Sequence, residues 1–114
     1  DSRRAILIYT RHSIWVDFDE GGRSDFICTN ACQYLIRDGK LVSIVSMRSN
    51  DAIYGFKNDA AWQMYIHQLI ADELLVEKGD LIWNAGSLHV YERHFDLVRN
   101  EPTHWNRKAT LNLK

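Results

Sequence analysis

The sequence is short of several things, and each shortage excludes a class of function. It has no surplus of cations: 14 Lys and Arg stand against 15 Asp and Glu, for a formal net charge of -1 over 114 residues. Nothing therefore drives the sequence-independent attraction to phosphate backbones on which nucleic-acid coating depends. It has no long apolar run. Stretches such as Ala5 to Tyr9 are far too short to span a bilayer, and no charged-then-apolar leader precedes them, so a cytoplasmic protein is expected. It has only two cysteines, Cys28 and Cys32. Four residues of strand would hold them roughly 13 Å apart, beyond disulfide reach. Their spacing is neither CxxC nor part of a Cys/His cluster suited to zinc, so no metal site is expected and a free thiol remains to be explained. Repeats and low-complexity segments are absent. The chain opens on Asp1-Ser2-Arg3-Arg4 without an initiating Met and is almost at once inside an apolar run, which reads as a piece of something longer.

What is present is 46% hydrophobic residues, enough for the core of a single domain over 1–114. Ala5 to Thr10, rich in β-branched residues, reads as a buried strand. Asp17 to Ser24 reads as a loop turning on Asp19-Glu20-Gly21-Gly22. Phe26 to Ile36 and Leu41 to Met47 read as a hairpin, because Asp38-Gly39 between apolar segments is a strong turn signal. A helix is expected from about Asn58-Asp59, with Trp62, Tyr65, Ile66, Leu69, Ile70 and Leu74 forming one apolar stripe, and Glu77-Lys78-Gly79-Asp80 ending it. A strand from Leu81 to Tyr91 and a short helix through Phe95 to Val98 follow. After the lone Pro102, residues 103–114 read as a loop or frayed tail. The order of elements predicts an α/β or α+β layer structure.

Four clusters carry unusual chemistry. Arg3-Arg4 stands at the mouth of a strand, where successive residues face opposite ways and so serve different neighbours, although a solvated charged end would look the same. Cys28 lies in Phe26-Ile27-Cys28-Thr29-Asn30, where a small buried hydrophobe is the ordinary alternative to a nucleophile. Arg48-Ser49-Asn50-Asp51 follows an apolar strand, and the guanidinium fork with a neighbouring hydroxyl suits an anion, though a polar turn would read alike. Nearby Asn58 and Asp59 have an ordinary reading as an N-cap and a first-turn acid. His89 and Tyr91 share a strand face by the period of two, an arrangement that suits a ribose hydroxyl or a satisfied core histidine.

In order, these clusters resemble the thymidylate synthase family. The match runs through Asp1-Ser2-Arg3-Arg4, Cys28 with Gln33 and Asp38-Gly39-Lys40-Leu41, Arg48-Ser49-Asn50-Asp51 with Gly55, and His89-Val90-Tyr91 with His94. Two departures select a branch. Ile27-Cys28-Thr29 replaces the family's Pro-Cys-His, and Lys57-Asn58-Asp59 replaces its Pro-Phe-Asn, so an acid stands where an amide reads the base. Both are similar to the phage branch that hydroxymethylates deoxycytidylate.

The resemblance implies a family-type sheet packed against a long helix, as part of the full fold. It implies Cys28 as the thiolate that adds to C6 of deoxycytidylate, with C5 then taking a methylene from 5,10-methylenetetrahydrofolate and water completing the hydroxymethyl group. Arg48 and Ser49 would hold the 5'-phosphate, and His89 and Tyr91 the 3'-hydroxyl. Asp51 would lie near the base and pterin. Arg3 and Arg4 would reach the phosphate of a partner subunit in a homodimer. Asp59 has a reading of its own. Cytosine donates from its 4-amino group and accepts at N3, and a carboxyl that takes the one and protonates the other complements it. The family's N-terminal region, with a further phosphate-binding arginine, a catalytic glutamate and much of the folate pocket, has no counterpart in the sequence. Alternatives are thymidylate synthase or deoxyuridylate hydroxymethylase chemistry, or a non-catalytic module that binds a nucleotide or dimerises.

Overall fold

The computed structural model describes residues 2–13, 16 and 27–99. The expected turn at Asp19-Glu20-Gly21-Gly22 and the expected tail 103–114 lie outside the described residues. A sheet is built from β1 (Ile6–Ile8), β2 (Thr29–Arg37), β3 (Lys40–Met47) and β5 (Glu77–Ala85), in the order β1-β2-β3-β5. A smaller parallel pair joins β4 (Asn50–Asp51) to β6 (Leu88–His89). The long helix α1 (Gly55–Glu73) links β3 and β4 to β5, and a 3-10 turn (Glu92–His94) leads into the short helix α2 (Phe95–Arg99).

The hairpin forms because Asp38 and Gly39 both take positive φ, 50° and 75°, the mirror-image turn whose twist matches that of paired strands. Arg37 then faces Lys40, with two residues between. Parallel pairing of β3 with β5 needs a long crossover, and α1 supplies it. Along β3 the period of two puts Leu41, Ser43, Val45 and Met47 on the buried face, where Cys32 of β2 and Ala71 of α1 meet them. Gly79 permits the close approach at the β3–β5 irregularity, since a Cβ there would stand 2.7 Å from the Leu41 carbonyl oxygen.

Several expectations are corrected. β1 is a strand but not a buried one: Ile6, Leu7 and Ile8 are all exposed on the edge of the sheet. β2 begins at Thr29, so Cys28 sits in a bend ahead of it, and a bulge between Thr29 and Ala31 removes the even two-pleat count between the cysteines. α1 starts at Gly55, earlier than Asn58-Asp59. It is closed by Leu75 rather than by Gly79: Leu75 takes φ 53°, with Val76 N–H donating to the Ala71 carbonyl and Leu75 N–H to that of Asp72. Glu77 to Asp80 belong to β5, which stops at Ala85 instead of running to Tyr91. At that break Gly86 N–H donates to the Met47 carbonyl, and a Cβ on Gly86 would come within 3.2 Å of the Arg48 carbonyl oxygen.

The helical period was legible, but the stripe it marks is split: Ile66 and Ile70 are half-buried and the other four residues are exposed. Trp62, Tyr65, Leu69 and Leu74 are exposed, while Gln63, His67 and Ala71, four residues apart, are the buried face. That face is held by polar contacts. Ser43 Oγ and His67 Nδ1 are 2.6 Å apart, and Gln63 Nε2 donates to the Tyr9 hydroxyl at 3.3 Å.

Burial pushes the proton affinity of His67 down, the Gly79 backbone opposes the fall, and the Lys78 charge adds to it. The unfolded chain therefore binds a proton at this residue more readily than the folded one, so stability falls as pH drops below about 6.5, the ordinary imidazole value. Urea unfolding across that range should show the loss in the parent chain, and His67→Gln, which cannot titrate, should flatten it.

Candidate active site at one end of the sheet

Because β2 runs antiparallel to β3, the start of β2 meets the end of β3, and this brings Cys28 to Arg48. The Arg48 backbone N–H donates to the Cys28 carbonyl at 2.9 Å. The Arg48 side chain folds back on the same segment, Nε donating to the Ile27 carbonyl at 3.2 Å and Nη2 to Cys28 Sγ at 3.8 Å. A guanidinium against a half-buried sulfur is the electropositive setting that a thiolate nucleophile requires. Cys32 differs. It is fully buried between Val45 and Met47, and burial pushes its thiol up, away from the reactive form.

Past Arg48 and the half-buried Ser49 the chain enters β4, and its two residues turn to different tasks. Asp51 starts the helix. Its carboxylate accepts from the backbone N–H groups of Ile53 and Tyr54, at 3.1 and 3.4 Å, and these bonds hold its proton affinity below the usual carboxylate range. Asn50 is buried and donates from Nδ2 to Asp59 Oδ2 at 2.9 Å. Burial raises the proton affinity of Asp59, and the Asn50 bond opposes that rise. With α1 beginning at Gly55, neither Asn58 nor Asp59 is a cap, and the first turn of α1 holds no acid. Asp59 lies in the second turn, facing β4.

The third group is tied to the second by main chain. Asn50 N–H donates to the Ser87 carbonyl and Ala52 N–H to that of His89, each at 2.8 Å. The rings of His89 and Tyr91 meet edge to face with centroids 4.9 Å apart, although the strand expected to carry both ends at His89 and Tyr91 lies beyond it. Tyr54 and His94 make a similar contact, also at 4.9 Å, and the Arg93 guanidinium lies 4.4 Å over the Tyr91 ring. His94 sits close enough to Asp51 for its charge to favour the carboxylate.

Cys28, Arg48, Ser49, Asp51, Asp59, His89 and Tyr91 thus gather at one end of the sheet. Arg3 and Arg4 do not join them. The Arg3 carbonyl accepts from Gln33 Nε2 at 2.8 Å and Ala5 pairs with Tyr34, so both arginines lie toward the hairpin end, about 20 Å along β2 from Cys28. The residues missed from sequence are Asn50, Tyr54 and His94 as contacts of the acids. Asn50 carried the one available signal, a polar residue immediately after a buried strand. Among the described residues no group of three His, Cys, Asp or Glu is placed to hold a metal ion, and no helix is long and apolar enough to cross a membrane.

Known proteins share this arrangement of sequence and fold. The chain is 51% identical to the deoxycytidylate 5-hydroxymethyltransferase of Enterobacteria phage T4, over 92% of its own length and 44% of that protein's. It is 34% identical to a putative thymidylate synthase of Methanocaldococcus jannaschii, over 87% of itself and 45% of the relative. In structure it is similar to the thermostable thymidylate synthase A from Bacillus subtilis, with a TM-score of 0.72 and 29% identity, covering 87% of this chain and 34% of that one. The chain spans less than half the length of these relatives. The thymidylate synthase family model matches residues 3–114, a stretch that contains the whole Cys28, Arg48 and His89 end of the sheet, and the chain belongs to the thymidylate synthase family.

Proposed function

We propose that the chain is the nucleotide-binding, cysteine-bearing part of a deoxycytidylate 5-hydroxymethyltransferase. The observation that carries the reading is Asp59: a half-buried carboxyl with raised proton affinity, beside the Cys28 and Arg48 end of the sheet, where the family's base-reading amide would stand. For uracil an amide already supplies a donor to O4 and an acceptor for N3–H, so that reading calls for no acid. Cytosine offers an amino donor and an N3 acceptor, and a carboxyl can accept from the first and give a proton to the second.

Within the complete enzyme the chain's own groups supply the thiol addition and the protonation of the base. Arg48, bonded to sulfur, holds positive charge where Cys28 carries negative charge. As sulfur bonds to C6, the C5=C6 π pair moves to form C4=C5, the C4=N3 pair moves onto N3, and N3 takes the proton from Asp59, which becomes a carboxylate. The result is an enamine with a nucleophilic C5. Arg48 and Ser49 bind the 5'-phosphate, and His89 with Tyr91, held edge to face, binds the sugar hydroxyl. Asp51 and the exposed Tyr54 ring fit one wall of a site for 5,10-methylenetetrahydrofolate, an acid and an aromatic face of the kind a pterin takes. When bound, the folate supplies the one-carbon unit that C5 takes up.

In the complete enzyme, Cys28→Ser should abolish exchange of the C5 hydrogen of deoxycytidylate with solvent, while Cys32→Ser leaves it largely intact. The opposite pattern overturns the choice of nucleophile. Asp59→Asn should move the ratio of specificity constants from deoxycytidylate toward deoxyuridylate by at least about tenfold, since complementary hydrogen bonds in such a site are worth about 1 to 3 kcal/mol each. An unchanged ratio removes the reason for choosing cytosine.

The enzyme is a homodimer in which Arg3 and Arg4 complete the partner's phosphate site, a reading supported by their distance from their own Cys28. Mixing a Cys28→Ser protein with an Arg3→Ala, Arg4→Ala protein should restore a fraction of activity, because one site of each mixed dimer keeps both its cysteine and its arginines. If subunits exchange and no activity returns, the arginines serve no partner.

A further inference from the structure

Asn50 is placed unlike an ordinary turn residue. Its side chain is only 2% exposed, and its main chain is fixed by the bond from its N–H to the Ser87 carbonyl. The amide is turned so that Nδ2 donates to Asp59 Oδ2 at 2.9 Å, while Oδ1 is buried with no hydrogen-bond partner among the described residues. A buried carbonyl oxygen left unpaired is costly, and so is rarely kept without a use. Gly55 lets the helix start sit directly on this pair, since a Cβ there would be 3.5 Å from Asn50 Nδ2 and 3.9 Å from Asp59 Oδ2.

An amide has a property that few side chains share. With Nδ2 forward it donates to a carboxylate, and after a half-turn about its last torsion Oδ1 accepts from a carboxylic acid. The orientation seen is the one that suits the carboxylate. We propose that Asn50 is a positioning residue for Asp59, giving its carboxyl a partner in both protonation states as the proton passes to N3 of the pyrimidine and returns. The inference rests on the reading of Asp59 as the residue that faces the base. The balance at Asp59 agrees with it: burial raises the proton affinity, and the Asn50 donor pulls it back. The neighbouring ionisable groups are committed elsewhere, Asp51 to the amides at the head of α1 and His94 to Asp51 and Arg93. When Asp59 gives its proton to N3, the O–H bond breaks and the new carboxylate receives Nδ2–H. On the return step the same proton goes back to the carboxyl oxygen that faces N3, while the other oxygen keeps its bond from Nδ2–H.

The test is Asn50→Leu, of nearly the same shape but without the amide, in the complete enzyme. Losing a partner needed only during proton transfer should lower kcat for deoxycytidylate by at least about tenfold, with KM changed less than about threefold. Exchange of the C5 hydrogen should fall with kcat. Asn50→Ser, whose shorter side chain stays polar but does not reach Asp59, should show the same split and serves if the leucine variant does not fold. A folded variant with unchanged kcat overturns the proposal. So does one in which KM rises for deoxycytidylate and deoxyuridylate alike while thermal stability drops, the mark of a structural role. Failure of the underlying reading looks different: Asp59→Asn would then leave the nucleotide preference unchanged, whatever the Asn50 variants do.

Discussion

The parallel pairing of β3 with β5 is the constraint on which the rest of the molecule hangs. Parallel neighbours finish at the same edge of a sheet, so the chain leaving β3 at Met47 and the chain leaving β5 at Ala85 emerge side by side. Each carries polar residues immediately afterwards, Arg48 to Asp51 on one side and Gly86 to Tyr91 on the other, and these pair again as β4 and β6. β2, antiparallel to β3, delivers its first residues to the same edge, and Cys28 with them. Three stretches far apart in sequence are thereby set together by main-chain hydrogen bonds, which fix positions more tightly than side-chain contacts on a loop. At this end of the sheet Gly86 donates its N–H to Met47, and its missing Cβ, which would stand 3.2 Å from the Arg48 carbonyl oxygen, leaves room for the chain leaving β3.

The crossover that parallel pairing requires is α1, and α1 is built the opposite way round from most helices on a sheet. Its inward face is Gln63, His67 and Ala71, satisfied by Tyr9 and Ser43, whereas Trp62, Tyr65 and Leu69 look outward. The two outer rings lie 6.1 Å apart. Apolar residues scattered singly on a surface need no explanation, but a helical stripe of them is of the kind that other protein covers. The inner face is specific for the opposite reason: a buried imidazole bonded to a buried hydroxyl fits only one register of helix on strand, where an apolar face would slide.

This division also explains what the sequence could and could not tell. Period is a local property, so the hairpin at Asp38-Gly39, the helix through Trp62 to Leu74, and the His89 and Tyr91 pair were all readable. Which face of a period turns inward is not local. Burial usually goes to the most apolar stripe, but Trp62, Tyr65 and Leu69 stay exposed and the buried face of α1 follows Ser43 and Tyr9, residues in other elements. The ends of elements failed for a similar reason. Gly79 looked like a helix stop because glycine commonly is one, yet it is spent on a close strand approach, and Leu75 bears the left-handed turn in its place. At the site, the residue types that do chemistry alone were legible. Asn50 was visible only as part of a motif, because its partner, nine residues on, is brought to it by the turn that Asp51 holds.

The two cysteines show how little separates a thiol sealed in the core from one at the surface of the site. They are four residues apart, and composition alone cannot rank them. Cys32 lies within β2, where pairing on both sides and the packing of Val45 and Met47 exclude water, so ionising it would place a bare charge in an apolar core. Cys28 stands one residue outside the strand and packs only against the edge of the same core. The bulge at Asn30 lies between them, resetting the alternation of faces just where the chain leaves the core for the site. At the same step Arg48 has just left β3, and the bond from its N–H to the Cys28 carbonyl fixes the guanidinium within reach of the sulfur. The cation beside Cys28 is thus supplied by a neighbouring strand end tied to it by main chain.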